Sequence, residues 1–404
     1  MLLHPLYMEG NSPVINIILL GLVSFFADVS SEMVYPLIPL YLTGAFGVTP
    51  ALVGVIEGIA ESTANLLKVY SGYLTDKYRK KKPIAFIGYA AGLVYKAALL
   101  LSTSWGGVLT ARVIDRLGKG IRTSPRDVMV SESAETNGMG KAFGVHKALD
   151  MAGSAIGILL AWFLIRNAAA GQADYHRVFA VSMIPALLSL MMFFLIKEKN
   201  RLRVAGPRER FWKNAGRLDS RLKLYLLVSF VFTLGNSSNT FLLLRARSVG
   251  FDDTSVILLY FAYNLTASLL AFPFGRLSDR AGRKWLLTGG YLIFAFAYAG
   301  FAFGNSREVF VLIFIVYGFY TAMTTGVERA LIAEISPPEL KGTMLGLHST
   351  IVGVALLPAS AICGLLWAAY GPVVPFMFGA FMSLAAAVML ILFFSKDKPA
   401  VRAG

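Results

Sequence analysis

A basic ten-residue sequence occurs twice in this chain, 203 residues apart, and each copy lies between two long apolar stretches. Gly72 to Lys81 reads GYLTDKYRKK and Gly275 to Lys284 reads GRLSDRAGRK, both fitting G-x-L-[ST]-D-[KR]-x-x-[RK]-K. A chain of 404 residues that repeats itself at half its length folds as two like halves. The apolar stretches decide the solvent. Apolar residues make up 56% and charged residues 15% of the chain, against about 25% charged in an ordinary soluble domain. Mean hydropathy is +0.64, and several windows exceed the roughly 18 apolar residues that read as a spanning helix. Paired halves in a membrane place a binding site between them, which makes transport the first function to consider.

Twelve segments can be drawn, at roughly 14–43, 49–73, 83–103, 106–131, 141–165 and 177–196, then 223–245, 253–275, 285–304, 308–334, 341–369 and 373–395. This predicts an all-α membrane protein of twelve helices: a six-helix unit over 1–196, a basic linker over 197–222 and a second six-helix unit over 223–404. Residues 1–16 hold no Lys or Arg, so the first apolar segment reads as a retained span and not a cleaved signal. The repeat extends beyond the basic loops. Val29 to Glu32 matches Asn236 to Asn239, Arg126 to Glu132 matches Glu328 to Glu334, and Gly144 to His146 matches Gly346 to His348.

The net charge of +15 sits in loops, not on a soluble surface, which argues against nucleic acid. Five cations fall within 77–82, ten within 197–223 and four within 276–284. By the positive-inside rule those loops, the linker and both termini are cytoplasmic, in a cell inner membrane. The lone Cys363 allows neither a disulfide nor a Cys-based metal site. No phosphate-cradling Gly-rich loop ending in Lys-Ser/Thr occurs, so neither nucleotide-driven transport nor an enzyme is indicated. No cofactor or metal is expected.

Six plus six segments, a basic central linker and the doubled loop resemble the major facilitator superfamily over nearly the whole chain. That resemblance implies alternating access between two bundles. It also implies a gating role for the doubled loop: Gly72, Asp76 and Arg79 in the first copy, Gly275, Asp279 and Arg283 in the second. Arg112 to Gly118 is similar to the family's R-x-x-Q-G-x-G motif, whose arginine is linked to proton coupling. Residues 115–127, DRLGKGIRTSPRD, are similar to a bacterial subgroup associated in part with siderophore or drug export. Of the antiporter motif of the fifth helix only Gly153 and Gly157 are present.

Ionisable residues at membrane depth cost about 2.5–3.5 kcal/mol each on insertion scales and need a reason. Segment 1 carries Asp28 and Glu32 one turn apart, with Tyr35 on the same face. Segment 2 carries Glu57, Glu61, Asn65 and Lys68 within a sector of about 80°. Segment 4 carries Arg112, Asp115, Arg116, Lys119, Arg122 and Arg126 within about 120°. These stripes read as walls of a water-filled cavity. Asp28, Glu32, Glu57, Glu61, Arg112 and Asp115 are the proton-coupling candidates. Tyr35, Arg112, Arg116, Asn236, Asn239 and Asn264 are the substrate-binding candidates. The plainer reading is pairing along a helix, as of Asp115 with Arg112 or Lys119. Lys96 is expected to snorkel to the interface, and Asp150 to orient His146. The expectation is a monomeric antiporter that moves a small organic molecule out against protons, drug-like or siderophore-like. Symport of an organic anion and a non-transporting sensor on the same scaffold are the alternatives.

Overall fold

The protein is described from a computed structural model covering residues 13–78, 80–133, 139–166, 174–198, 220–336 and 341–394. The side chains of 72–79, and with them Asp76 and Arg79 of the first basic loop, lie outside the described residues, as does linker stretch 199–219. Among the described residues all regular structure is helical. The first half holds α1 (Pro13–Val34), α2 (Leu37–Phe46), α3 (Pro50–Tyr78), α4 (Lys81–Leu100), α5 (Trp105–Ser133), α6 (Met139–Arg166) and α7 (Tyr175–Leu195). The second half holds α8 (Ser220–Gly235), α9 (Thr240–Ser248), α10 (Asp253–Ala281), α11 (Arg283–Phe303), α12 (Arg307–Ile335), α13 (Lys341–Tyr370) and α14 (Val373–Phe394).

Two pairs of these helices form single spans, α1 with α2 and α8 with α9, which gives the twelve expected crossings. Among the described residues ten are long and apolar enough to cross a membrane. The two that are not, α3 and α5, are the helices that bear the charged stripes. Their place in the fold follows from that composition. Charge cannot face lipid, so each must be enclosed by other helices. α5 packs on α4 and α3, and α3 packs on α13 of the other half.

The packing repeats as the sequence does. In the first half α1 lies on α6 and α7, α4 on α5 and α7, and α3 on α5. In the second half α8 lies on α13 and α14, α11 on α12 and α14, and α10 on α12. The halves meet through α3 with α13 and α6 with α10, two contacts exchanged by the same pseudo-symmetry. Between apolar helices in lipid there is no water to expel, so close backbone approach supplies the attraction. Gly153 and Gly157 serve that end: a Cβ at Gly157 would come within 2.5 Å of the Val29 carbonyl, so both glycines let α6 lie against α1.

Spans 1 and 7 are both broken at mid-depth. In span 1 Pro36 disfavours helix at Tyr35. In span 7 Gly235 is followed by the polar run Asn236 to Asn239. Unwound backbone at this depth needs partners from within the protein, and it has them. The Asn236 N–H donates to Phe232 O at 3.0 Å, and the Ser238 N–H to Ser360 Oγ at 3.2 Å.

Each half also ties its repeated basic loop to the glutamate ending its fourth span. Lys81 Nζ meets Glu132 Oε2 at 2.8 Å, and Arg283 Nη1 meets Glu334 Oε2 at 2.6 Å. Arg283 also bonds Asp279 of its own loop at 3.2 Å, and Gly282 turns the chain there at φ 92°. The two ion pairs differ in burial, with side chains 9% and 7% exposed in the first and 27% and 58% in the second. A buried charge left alone is costly, roughly 3–5 kcal/mol, whereas an exposed pair contributes roughly 0–1 kcal/mol. Lys81→Ala should therefore lower the thermal midpoint of purified protein far more than Arg283→Ala. Equal shifts would show that the buried loop contact is not what holds the first half.

Candidate functional site

The charged faces of α1, α3 and α5 meet the polar face of the second half around a cavity of about 360 Å³. The first half contributes most of the charge. Asp28, Glu32, Glu61, Arg112, Asp115 and Arg116 all line it, as does Tyr35 at the break of span 1. The second half contributes Asn236 and Asn239 from the break of span 7, and a tyrosine wall from α10 and α12. Glu57 stands behind the lining, fully buried. Asn264 is not in the lining; its amide donates to Tyr260 O of its own helix at 2.9 Å.

The charges are arranged as pairs. Arg112 holds Glu57 in a fork, with Nε to Oε1 at 3.0 Å and Nη2 to Oε1 and Oε2 at 2.8 Å each. Both side chains are 1% exposed. Planar bidentate geometry is the strong form of such a contact. Ser238 Oγ of the second half donates to Glu57 Oε2 at 3.2 Å, so the pair touches the break of span 7. One turn along α5, Arg116 bridges Glu61 at 3.1 Å and Asp115 at 3.1 Å. Asp115 also lies 3.7 Å from Arg112. Tyr35 covers this network, its ring 5.4 Å from the Arg112 guanidinium and 5.9 Å from that of Arg116. Arg122 lies 3.9 Å from Asp28 and over the Tyr89 ring. The helix-internal pairing expected for Asp115 thus involves both flanking arginines, and Lys119 stays outside it.

Glu32 takes one hydrogen bond from across the cavity, from Tyr260 Oη at 3.1 Å. The amides of the second half hold the tyrosine wall. Tyr317 Oη donates to Asn239 Oδ1 at 2.8 Å, Asn239 donates to Tyr263 Oη at 3.3 Å, and Asn236 donates to Tyr320 Oη at 2.9 Å. Sequence reasoning passed over these tyrosines. The available signal was spacing, since 260 with 263 and 317 with 320 are i,i+3 pairs that share a helix face. In a chain with 13% aromatic residues that pattern does not stand apart from packing.

Two other expectations change. Lys96 does not snorkel: it is 1% exposed, its ammonium 3.5 Å from Ser31 Oγ between α4 and α1. His146 Nε2 shares a hydrogen bond with Ser24 Oγ at 3.0 Å, while Asp150 bonds Lys147 at 3.2 Å.

At the face opposite the linker the two halves are joined by side-chain contacts. There Arg247 at the end of α9 bonds Leu40 O at 3.1 Å and Thr43 Oγ1 at 3.3 Å in the first half. Tyr175 of α7 donates to Asp253 of α10 at 2.5 Å. Gly364 lets α13 approach α3 there, since a Cβ would stand 2.5 Å from the Pro50 carbonyl. Toward the linker face Thr325 of the lining and the adjacent Gly326 are exposed. The structure therefore holds a central site between the two halves.

Removing one member of the buried fork leaves the other as a lone charge, at a cost of roughly 3–5 kcal/mol. Arg112→Met and Glu57→Met should each lower the thermal midpoint in detergent sharply, and the double substitution should recover part of the loss. Additive losses in that cycle would mean the two groups are not energetically coupled.

A family model described as Major Facilitator Superfamily matches residues 20–243 and 224–403. An uncharacterized MFS-type transporter of Methanocaldococcus jannaschii is 35% identical over 382 residues, 93% of this chain and 94% of that protein. A multi-drug resistance efflux pump PmrA homolog of Lactococcus lactis is 23% identical over 399 residues, 93% of this chain and 90% of that one. Among solved structures, a mutant of the nucleoside transporter NupG superposes with a TM-score of 0.80 at 13% identity. It covers 94% of this chain and 100% of its own. With two six-helix halves around one central cavity and both halves matched by the family model, the chain belongs to the major facilitator superfamily.

Proposed function

We propose that the protein is a secondary active transporter that exports a small organic molecule in exchange for protons. The observation that carries this reading is the central cavity between the two halves, lined by charged and polar side chains. A site enclosed between two pseudo-symmetric bundles can be exposed to either side by rocking one bundle against the other. The polar contacts of Arg247 and Tyr175 between the halves can break and re-form. The efflux-pump relative from Lactococcus lactis supports the direction.

Asp28 and Glu32 of α1 carry the protons in this reading. Asp28 has one cation at 3.9 Å and Glu32 has a tyrosine hydroxyl, so neither is held in a close ion pair. Glu57, Glu61 and Asp115 are held in close pairs by Arg112 and Arg116, and they position the cations of α5. Tyr35, Asn236, Asn239 and Arg116 contact the substrate. The doubled basic loop, with Gly72, Asp76 and Arg79 in one copy and Gly275, Asp279 and Arg283 in the other, gates the linker face. The protein works as a monomer, without cofactor, in the cell inner membrane. The cations on α5 favour one second reading, uptake of an organic anion together with protons.

Purified protein in liposomes under an imposed pH gradient separates these readings by the direction of flux. Glu32→Gln or Asp28→Asn should abolish gradient-driven accumulation while leaving substrate exchange, which needs no net proton movement, measurable at saturating substrate. Arg112→Ala should impair both. Full pH-driven transport in both carboxylate variants would move coupling away from α1.

In this reading both termini and the linker face the cytoplasm, which the excess of Lys and Arg in those loops supports. Cys363 is buried, so it gives a quiet background for labelling. A cysteine at Gly106 should react with an impermeant reagent on intact cells and one at Gly206 should not. The reverse pattern would invert the orientation.

A further inference from the structure

Most charges lining the cavity are already answered by a neighbour. Arg112 is committed to Glu57 and Arg116 to Glu61 and Asp115, while Arg122 lies over the Tyr89 ring with Asp28 at 3.9 Å. Two lining charges have no opposite charge within 4.0 Å among the described residues. Glu32 on α1 has no cation within 4.0 Å among the described residues, and its one side-chain partner is Tyr260 Oη. Lys119 on α5 is exposed to the cavity and has no carboxylate within 4.0 Å among the described residues. Both line the same cavity, yet they form no ion pair.

Beside this separated pair runs a file of five tyrosine rings. Tyr35 and Tyr260 stack across the seam between the halves at 5.5 Å. The file continues from Tyr260 to Tyr263 at 5.7 Å, to Tyr317 at 5.1 Å and to Tyr320 at 5.1 Å. Tyr260, the donor to Glu32, is itself a member of the file. Aromatic faces favour a flat ring laid against them. A carboxylate and an ammonium left unpaired in one enclosed space favour a ligand that brings both opposite charges. A purely anionic ligand would satisfy Lys119 and be repelled by Glu32; a purely cationic one would meet the reverse.

We infer that the ligand of this cavity is an aromatic zwitterion, whose ammonium meets Glu32, whose anionic group meets Lys119 and whose ring lies on the tyrosine file. The inference rests on the reading of this cavity as the transport site. It also says how exchange would work there: an ammonium and a proton cannot both occupy Glu32, so loading substrate releases the proton.

The test is equilibrium binding to purified protein in detergent, with no gradient and no flux. Three probes share one ring: para-aminomethylbenzoate carries both charges, para-toluate only the negative and para-methylbenzylamine only the positive. The wild type should bind the first about tenfold or more tighter than either of the others, the worth of one charge-assisted contact. Glu32→Gln should bring the zwitterion level with para-toluate. Lys119→Gln should bring it level with para-methylbenzylamine, and Lys119→Arg should keep the wild-type order. Unchanged size-exclusion profiles and thermal midpoints identify variants that are folded, and Lys119→Arg against Lys119→Gln tests the charge on one scaffold. A wild type that binds either singly charged probe as tightly as the zwitterion, or binds none of the three, overturns the proposal. So does the wild-type order persisting in both charge-removing variants. Protein that shows the expected order yet moves nothing in liposomes would refute transport and leave the ligand class standing. Protein that transports without the order refutes the ligand class alone.

Discussion

The fork between Arg112 and Glu57 is the contact on which the arrangement of the other helices turns. Two fully buried opposite charges at membrane depth are tolerable only if each finds the other, because neither has water or lipid to fall back on. Holding them together fixes the rotation of α3 against α5. That rotation sends Glu61 toward Arg116 and leaves Lys119 facing the cavity. α3 and α5, too polar to face lipid, are in turn enclosed by α4 and by α13 of the opposite half. The interior site thus follows from the need to keep charge away from the bilayer.

The breaks in spans 1 and 7 answer a related need. A continuous helix satisfies its own backbone and offers a ligand only side chains. Where the helix opens, at Tyr35 and from Asn236 to Asn239, polar side chains gather at one depth in the middle of the molecule. The two breaks have different local causes, a proline in one half and a glycine with a polar run in the other. Ser238 binds the Glu57 carboxylate from the second break, so the charged pair of one half is tied to the unwound backbone of the other. A shift of one bundle against the other must alter that contact.

The pseudo-symmetry of the backbone is not matched in chemistry. Five helix pairings recur from half to half, and the glutamate that anchors each basic loop recurs with them. The cavity walls, by contrast, are charged on one side and built of amides and tyrosines on the other. Duplication supplied two similar frames, and the site lies where their unlike faces meet. The same inequality shows in the loop anchors: Lys81 and Glu132 are shut in, while Arg283 and Glu334 are open to solvent.

The sequence by itself determined the class of the molecule. The doubled basic loop, the twelve apolar segments and the charge stripes of segments 1, 2 and 4 follow from hydropathy, repetition and helical spacing, all local properties of the chain. The stripes mark which face of each helix turns inward, because a helix that bears charge on one face has only one face to give to lipid. The tertiary structure decided which charges are used up and which are left. Nothing in the spacing of Arg112 and Glu57, 55 residues apart, says that they form a fork, or that Lys119 is left facing the cavity. The burial of Lys96 and the file of rings from Tyr35 to Tyr320 were likewise out of reach. Partners on different helices are set by how those helices rotate and cross, and that is decided by packing over the whole bundle. A single segment's sequence carries which face is polar; it does not carry which residue of another segment that face will meet.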